Sequence, residues 1–132
     1  MERVDVTSSQ STEMIPITEQ VREVVRESGV YSGICYLYVP HTTAAVTINE
    51  QADPMVAHDV LQTMDQLIPL VDPAYRHLEE NSAAHVKAIL FGTAETVLID
   101  EGELVLGTWQ GIFFCEFDGP RRRHLLVKVV GD

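Results

Sequence analysis

The segment from Leu106 to Arg121 carries the densest set of side chains that could do chemistry. A hydroxyl, an amide, two carboxylates and a guanidinium lie within it, on Thr108, Gln110, Glu116, Asp118 and Arg121. A strand with a purely structural role has little use for so many polar groups, because each one costs free energy when it is buried without a partner. The segment therefore predicts one wall of a ligand site. Trp109, the chain's only tryptophan, is expected beside it as a core or interface anchor.

Glu116 and Asp118 form a carboxylate pair near the end of this segment. Residues two apart on a strand point to the same face, so the two carboxylates are expected side by side. Such a pair needs a cation, which is Arg121, Arg123 or a metal ion. The alternative is an internal salt bridge, because a buried charge has to be paired in either case. The residues alone favour neither interpretation over the other.

A second group of polar residues lies earlier in the chain. His41 follows an apolar run, and as a general base, a metal ligand or a phosphate donor it would suit a site at the end of a strand. The alternative is a turn histidine bonded to a nearby carbonyl. Asn49 and Glu50 precede Asp53, which suits the N-cap of a helix and would stabilise it by about 1 kcal/mol. Capping does not account for Asn49 and Glu50.

Three histidines are candidate metal ligands. His77 and His85 are eight residues apart with Asn81 midway, and one continuous helix would align all three on one side. A helix beginning near Asn81 would spoil that alignment. The spacing fits no zinc template, but His41, His77 and His85 would complete an open zinc site if the fold gathers them, because three ligands plus water are usual there.

Three helices are expected from apolar spacing and capping residues. They cover residues 18–29, 53–69 and 81–92, with the N-caps at Thr18, at Asp53 and at Asn81 or Ser82. Gly29 and Gly92 would end the first and the third helix. Residues 70–80 have mixed polarity and predict an ordered loop.

The remaining segments predict strands. These segments are residues 2–8, 33–39, 45–49, 95–99, 103–106, 111–117 and 122–130. The run from Gly33 to Val39 is apolar or aromatic on both faces, which is typical of a central strand covered on two sides. Short turns join the last four strands, so they predict an antiparallel meander. The expected fold is α+β: a compact single domain over residues 1–132, sandwich-like and dominated by antiparallel sheet, with about three helices.

Length and charge limit the function. The chain has 132 residues, 45% of them apolar, which suits one domain with a buried core. Nine Lys and Arg against twenty Asp and Glu give a net charge of −11, which would repel nucleic acid and anionic membranes. We therefore expect neither as a partner. Arg121 to Arg123 form a local exception that could hold one small anion, such as a phosphate ester.

The sequence also indicates a cellular compartment. No apolar run approaches the ~18 residues of a membrane span, and the first residues lack a signal-peptide core. A cytoplasmic protein is expected. Cys35 and Cys115 lie in predicted buried strands, where free thiols behave as small hydrophobes in a reducing compartment. Neither has a neighbouring His or Asp at the spacing of a nucleophile motif.

Several of these motifs together resemble the YjbQ-like family, also called the secondary thiamine-phosphate synthase family. The matching segments are His41-Thr42-Thr43-Ala44, Asn49-Glu50 with Ala52-Asp53-Pro54, Asn81 with Ala84-His85, Gly107-Thr108-Trp109-Gln110, and Glu116-Phe117-Asp118-Gly119-Pro120-Arg121. The resemblance implies an α+β fold dominated by antiparallel sheet, and a homotrimer with the shared polar residues near subunit contacts. It also implies a weak thiamine-phosphate synthase activity, which joins a pyrimidine diphosphate to a thiazole phosphate and releases pyrophosphate.

Two functional hypotheses follow. In the first, the chain is a transferase-like enzyme acting on phosphorylated heterocycles. The catalytic residues would be His41, Asp53, His85 and Asp118, and the substrate-binding residues Asn49, Glu50, Thr108, Gln110, Glu116, Arg121 and Arg123. A divalent metal, zinc or magnesium, would be held by His41, His77 and His85 or positioned by carboxylates. In the second, the chain is a trimeric accessory module that binds a metal or a small anion without turnover. A glycine-rich anion loop is missing from the sequence, which weakens the first hypothesis.

Overall fold

The structure is a computed structural model that describes residues 1–77 and 80–132. In chain order the elements are β1 (Glu2–Thr7), β2 (Glu13–Pro16), α1 (Thr18–Ser28), β3 (Gly33–Tyr38), β4 (Ala44–Glu50), α2 (Pro54–Leu67), α3 (Ser82–Phe91), β5 (Ala94–Asp100), β6 (Glu103–Leu104), β7 (Gln110–Glu116) and β8 (Arg122–Gly131). The predicted loop at 70–80 is confirmed where the structure describes it; Leu78 and Glu79 lie outside the described residues.

The strands form two antiparallel sheets. A five-stranded sheet has the order β1-β8-β3-β5-β6, and a three-stranded sheet has the order β2-β7-β4. The main core lies between them and under α1, because alternate residues of strands from both sheets point inward and meet the apolar stripe of the helix. Leu37, Phe114 and Leu125 are among its fully buried side chains, with Val21 and Val25 of α1. The predicted α+β class is therefore confirmed.

β7 has apolar residues buried on both faces. Ile112 and Phe114 face the main core, whereas Phe113 and Cys115 join a second cluster with Ala88 of α3. The sequence pattern predicts this covered position for β3, and that prediction is wrong for the single chain. Cys35 and Leu37 of β3 are buried, but Tyr36 and Tyr38 point outward and are exposed. The outward face of the five-stranded sheet is therefore uncovered, and it exposes the aromatic side chains of β3.

The predicted meander over the last four strands is also wrong. β5 pairs with β6, but β7 lies in the other sheet between β2 and β4. β8 then returns to the first sheet and pairs with both β1 and β3. The physical reason is burial, because a strand that is apolar on both faces needs cover on both sides. β2 was not expected at all, since it is only four residues long and ends in a proline.

The ends of α1 and α2 follow the sequence signals with one exception, and Asn81 has the predicted N-cap position of α3 but its side chain makes no capping hydrogen bond. Asp53 caps α2 by accepting a hydrogen bond from Met55 N at 2.9 Å, and Gly29 ends α1 in the left-handed conformation at φ 70°. Thr18 was expected as the N-cap of α1, but Ile17 has that position. The buried hydroxyl of Thr18 instead accepts from Ile112 N at 2.9 Å and donates to Gln51 Oε1 at 2.5 Å. The Thr18 hydroxyl therefore bonds to Ile112 of β7 and does not cap the helix.

Two further expectations concern burial. Cys35 and Cys115 are free and buried, and burial raises the pKa of the Cys35 thiol to about 11 and that of Cys115 further. The expectation of two structural thiols is consistent with these surroundings, because reactive cysteines have lowered pKa values.

Among residues 1–77 and 80–132, no helix has both the length and the apolar character that a membrane span requires.

Candidate functional site

The antiparallel pair β4–β7 divides the candidate site residues into two groups. Ala44 pairs with Glu116 at one end, and Glu50 pairs with Gln110 at the other. Six residue steps separate these pairs, so the two ends lie about 20 Å apart at the usual strand rise. We call them the histidine end (His41, Asn81, His85, Asp118 and Arg121) and the tryptophan end (Asn49, Glu50, Thr108, Trp109 and Gln110). The fold does not gather all predicted site residues in one place.

His41 is held at the histidine end by the backbone of β8. Its Nε2 accepts a hydrogen bond from His124 N at 3.0 Å, and the two rings pack edge to face with centroids 4.9 Å apart. Burial lowers the pKa of His41, and the nearby charges of Arg123 and His124 lower it further. The imidazole is therefore neutral at pH 7. Nε2 also lies 3.2 Å from His124 O, so the backbone of His124 presents both a donor and an acceptor to this nitrogen, and the ring proton can be on Nε2 or on Nδ1.

His41 and His85 line one cleft. The cleft has a volume of about 490 Å³ and lies between α3 and the connection from β3 to β4. We call it the histidine cleft; its lining residues are Tyr38, Val39, Pro40, His41, Thr42, His85, Ala88, Ile89 and Thr93. Two imidazoles that are far apart in the sequence thus face a mainly apolar cavity. Such a cavity with a few convergent polar groups is the usual form of a small-molecule site.

The ring of His77 also contacts the ring of His85. Their rings pack edge to face with centroids 5.3 Å apart, although α3 begins only at Ser82. A helix does begin near Asn81, so the expected alignment of His77, Asn81 and His85 on one continuous helix is absent, yet the rings of His77 and His85 meet. His77 itself lines a neighbouring cleft of about 460 Å³. Within the part of the chain that the structure describes, no three His, Cys, Asp or Glu residues are close enough together to hold a metal ion.

Glu116 and Arg123 form a buried ion pair between the two sheets. Glu116 is 0% exposed, and its oxygens accept from Arg123 Nε at 2.9 Å and Nη2 at 2.5 Å and from Ser8 Oγ at 2.7 Å. Arg123 Nη2 also donates to Thr43 Oγ1 at 2.8 Å. This arrangement is the internal salt bridge that the sequence left open. Direct contact of either side chain with a substrate stays a prediction.

Asp118 lies just beyond β7 and is partly exposed. Its Oδ2 accepts from Arg121 Nη2 at 2.8 Å and from Asn81 Nδ2 at 2.9 Å. The predicted neighbouring carboxylates therefore have different partners, since Glu116 is held inside by Arg123 and Asp118 is held at the surface by Arg121. Arg121 is about half exposed, so its guanidinium remains accessible to an anion.

Two hydrogen bonds fix the segment around Trp109 at the tryptophan end. Gln51 N donates to Trp109 O at 2.9 Å, and Gly107 N donates to the side chain of Gln110 at 2.8 Å. Trp109 was expected as a core or interface anchor; it is 63% exposed in the single chain, so it is not part of this chain's core. Asn49 and Thr108 are exposed beside it. Asp53, expected among the catalytic residues, caps α2 near this end, away from the histidine cleft.

Several polar residues at these sites were missed by the sequence analysis. Ser8, Thr43 and His124 hold the buried ion pair or His41; Ser8 and His124 come from segments with no motif, and Thr43 lies in the His41 motif but was given no role. Lys87 was missed too: its buried ammonium donates to Asp65 at 2.5 Å and joins α3 to α2. Asn81 was noted only for its spacing from the histidines. A search for polar residues in predicted apolar faces would have selected Lys87 and Thr43.

The fold and these motifs define a class of protein: an α+β domain of two antiparallel sheets with its polar motifs at the strand ends. The chain matches the model of the UPF0047 protein YjbQ-like family over residues 2–132. It is 48% identical to a UPF0047 protein of Methanocaldococcus jannaschii, covering 98% of this chain and 94% of the relative. It is 44% identical to UPF0047 protein YugU of Bacillus subtilis, covering 99% of each. The chain therefore belongs to the UPF0047 YjbQ-like family.

Solved structures agree with this assignment. A crystal structure of a YjbQ/UPF0047 family protein from Clostridium acetobutylicum matches with a TM-score of 0.96 at 46% identity, covering 98% of this chain and all 100% of that one. A YbjQ-like protein of unknown function from Sulfolobus solfataricus matches with a TM-score of 0.94 at 34% identity, covering 99% and 96%. The family resemblance and the fold expected from the sequence are confirmed.

Proposed function

We propose that the chain is an enzyme that binds a small phosphorylated heterocycle at the histidine end, with a weak thiamine-phosphate synthase activity. The observation that carries this proposal is the meeting of His41 and His85 in one cleft, with the accessible Arg121 at the same end of the strand pair. A largely apolar cavity suits a heterocycle, and a guanidinium suits a phosphate.

The bond-forming step of this reaction depends little on a proton donor or acceptor. The thiazole nitrogen forms a bond to the methylene carbon of the pyrimidine while the carbon–oxygen bond to the diphosphate breaks, and pyrophosphate leaves with the bonding electron pair. The main requirement is to stabilise negative charge on the departing pyrophosphate. Arg121 would supply a fixed cation, and His41, in the tautomer protonated on Nδ1, would donate from Nδ1 to an oxygen of the ligand. In this role His41 binds the leaving group and is not a general base.

Turnover with site variants tests this function. Thiamine phosphate formation is measured from the pyrimidine diphosphate and the thiazole phosphate for the wild type, His41→Ala and Arg121→Ala, with His58→Ala on the exposed side of α2 as the control. Loss of a donor to a developing anion lowers kcat by about 100-fold, so both site variants should fall by this amount while the control does not. Equal turnover by all four proteins would refute the assignment.

A second candidate function is binding of a metal ion or a small anion without turnover. The contact between His77 and His85 favours a metal, because imidazoles are common ligands of zinc. His41, across the histidine cleft from His85, is the third expected ligand. Magnesium is the weaker choice for these residues, since it prefers oxygen ligands.

Metal analysis separates this candidate from the first. Protein purified without chelator is measured for zinc by mass spectrometry, together with His77→Ala, His85→Ala and the control His58→Ala. Metal binding requires about one zinc per chain that is lost in the first two variants and kept in the control. Zinc content that does not respond to either variant would remove these histidines as ligands.

We also propose that the protein is a homotrimer in the cytoplasm. The outward face of the five-stranded sheet supports the oligomer, because it exposes Tyr36, Tyr38, Leu98 and Val130 next to one another. Large exposed apolar patches on soluble chains are usually binding surfaces. Two buried free thiols support a reducing compartment.

A further inference from the structure

Asn81 has no part in the reaction proposed above, although it lies at the histidine end. It has the N-cap position of α3, immediately before Ser82, and its side chain is only 9% exposed. Its Nδ2 donates to Asp118 Oδ2 at 2.9 Å, which joins the start of α3 to the connection between β7 and β8. An ionised carboxylate only accepts hydrogen bonds, so the NH₂ group of the amide must face Asp118. This contact therefore determines how the Asn81 side chain is oriented.

The contact with Asp118 replaces the usual role of an asparagine at the start of a helix. There the side-chain oxygen accepts a hydrogen bond from a backbone N–H of the first turn. Asp53 does this at the start of α2, where its backbone is extended at φ −109° and ψ 110°. Asn81 has φ −124° and ψ 26°, and its side chain makes no capping hydrogen bond. The start of α3 thus lacks the side-chain cap that α2 has.

The oxygen of the Asn81 amide is also left unpaired. Within the part of the chain that the structure describes, Oδ1 is a buried atom without a hydrogen-bond partner. Nearly all buried polar atoms have a partner, so an exception calls for a physical reason. The missing cap and the unpaired oxygen both accompany the turn of the amide towards Asp118. Neither favours the stability of the fold, and local rules of this kind are broken mainly at functional sites.

Asp118 in turn holds the guanidinium of Arg121 at two points. Asp118 Oδ2 accepts from Arg121 Nη2 at 2.8 Å, and Asp118 O accepts from Arg121 Nε at 2.8 Å. A guanidinium has five N–H donors, so these two bonds leave three that make no hydrogen bond to the described residues. The side chain is also about half exposed. Arg121 is therefore anchored on one side and free to bind an anion with the remaining donors.

We propose that Asn81 is a positioning residue: through Asp118 it holds the guanidinium of Arg121 in the orientation that binds a diphosphate group. This inference rests on the proposed function, because it takes Arg121 as the phosphate-binding group. Asn81 itself touches no ligand. Without its hydrogen bond the carboxylate of Asp118 is free to rotate, and the long side chain of Arg121 moves with it. A group that stabilises a departing anion is effective only where it is held in place beforehand.

Binding of inorganic pyrophosphate tests this role. Its affinity is measured by calorimetry for the wild type, Asn81→Ala and Arg121→Ala, with Ser82→Ala at the next position as the matched control. Asn81→Ala should bind about ten-fold more weakly, because hydrogen bonds to charged groups have about this effect. The control should bind as the wild type does. The urea midpoint of Asn81→Ala should stay near that of the wild type, since alanine removes the unpaired Oδ1 together with the donor. Unchanged affinity with a lowered midpoint would show a structural role only and overturn the proposal.

An exchange of the two side chains provides a rescue. Asn81→Asp removes the donor and places a second carboxylate beside Asp118, so pyrophosphate should bind at least ten-fold more weakly. Adding Asp118→Asn restores an amide facing a carboxylate, and the amide oxygen at position 118 still accepts from Arg121. The double variant should therefore bind about ten-fold more tightly than Asn81→Asp alone. A double variant that binds no better would show that this contact does not control Arg121.

The anchoring of Arg121 is also measurable without any ligand. Nitrogen-15 NMR detects arginine Nε–H groups, and one that donates to a carbonyl exchanges with water more slowly than a free one. The Arg121 signal, assigned by its absence from Arg121→Lys, should exchange about ten-fold faster in Asn81→Ala than in the wild type. Equal exchange in the two proteins would contradict the positioning role.

The outcomes separate this inference from the function on which it rests. If the wild type binds no pyrophosphate, the anion site of the proposed function fails, and the NMR signal alone decides whether Asn81 positions Arg121. If binding is lost in Arg121→Ala but kept in Asn81→Ala, the anion site stands and the positioning role is wrong. Weaker binding in both variants, with faster exchange in Asn81→Ala and rescue by the exchanged pair, supports both.

Discussion

Glu116 remains charged inside the protein because four hydrogen bonds converge on its two oxygens. They come from Ser8, from two nitrogens of Arg123 and from the backbone N–H of Asp118. Burial alone would raise the pKa of Glu116, but these bonds outweigh burial and hold the pKa below its ordinary value. The carboxylate thus joins segments from β1, β7 and β8.

Removing one partner of this pair should be strongly destabilising. Arg123→Met leaves Glu116 charged and buried without its cation, and we expect a loss of about 3–5 kcal/mol in the free energy of unfolding. The control is Arg3→Met, because Arg3 pairs with Asp5 at the surface and such pairs contribute about 0–1 kcal/mol. Urea unfolding followed by circular dichroism measures both. A similar small loss in the two variants would contradict the account.

The same residue predicts a pH dependence. An unfolded glutamate has a pKa of about 4.3, and the folded value lies below it, so the folded state binds fewer protons in this interval. The stabilisation is therefore complete above about pH 4.3 and is lost as the pH falls through the folded pKa. Urea unfolding from pH 7 to pH 2.5 should show a shallower acid loss in Glu116→Gln than in the wild type. Parallel curves for the two proteins would be evidence against this contribution.

For single residues, the sequence predicted which side chain needs a partner but did not predict which residue supplies it. The sequence indicated that Glu116 needs a cation, and it offered Arg121, Arg123 or a metal. The choice depended on which arginine points inward from β8, and that depended on the pairing of β8 with β1 and β3. Ser8 and Thr43 complete the network from distant segments. No local pattern marks a hydroxyl that will serve a distant carboxylate.

Among the elements, β3 and β8 are in close contact at one glycine. A Cβ built on Gly33 would lie 2.1 Å from Val130 O, a backbone atom that cannot move without disturbing the pair, whereas one on Gly131 would meet only ordinary contacts at 3.5 Å. We expect Gly33→Ala to cost about 1–3 kcal/mol in unfolding free energy. Gly131→Ala should change it by less than about 0.5 kcal/mol. Thermal and urea unfolding of the two variants provide the comparison.

The role of Asp53 concerns helix α2. The sequence predicted a catalytic residue, whereas the structure shows Asp53 as the N-cap of this helix. If capping is its role, Asp53→Asn should retain stability and turnover, whereas Asp53→Ala should lose about 1 kcal/mol of stability with its turnover unchanged. Measurements of unfolding and of thiamine phosphate formation on both variants distinguish the roles. A large loss of turnover in a stable Asp53→Asn protein would restore the catalytic assignment.

Element types followed from the sequence more readily than their neighbours did. Apolar spacing and the Asp53-Pro54 signal located α2, and Gly29 marked the end of α1. The order of strands did not follow, because the turn chemistry before β7 is the same whether the next strand stays in its sheet or crosses to another. Burial of both faces of β7 decided the crossing, and the sequence showed the same pattern in β3.

For the whole molecule, the uncovered face of the five-stranded sheet predicts assembly. Leu98→Glu places a charge on this face, on β5 beside the central strand β3, at a residue that is 60% exposed in the single chain, so the fold should persist while the oligomer weakens. Sedimentation velocity at several concentrations should show a trimer for the wild type and smaller species for the variant. The control is Val71→Glu, at an exposed apolar residue in the loop after α2. Equal sedimentation of all three proteins would place the interface elsewhere.

The site as a whole was the least predictable feature. The motifs were found in the sequence, but their order along the chain hides the fact that β4 and β7 run in opposite directions. Antiparallel pairing puts Ala44, at the end of the His41 motif, opposite Glu116 and puts Glu50 opposite Gln110, and it separates the first pair from the second. Only the register of the two strands shows this division.

The position of β8 has a consequence for the time course of folding. β8 lies between β1 and β3, so the first strand of the chain has no neighbour in its sheet until residues 122–131 have been made. During synthesis, β1 and β3, with its outward tyrosines, lack their neighbour β8, while α1, β3 and β5 can already pack together. Contacts between residues so far apart in sequence are slow to form, and folding in milliseconds to seconds is typical of such topologies. The growing chain is therefore most exposed to aggregation just before its last strand arrives.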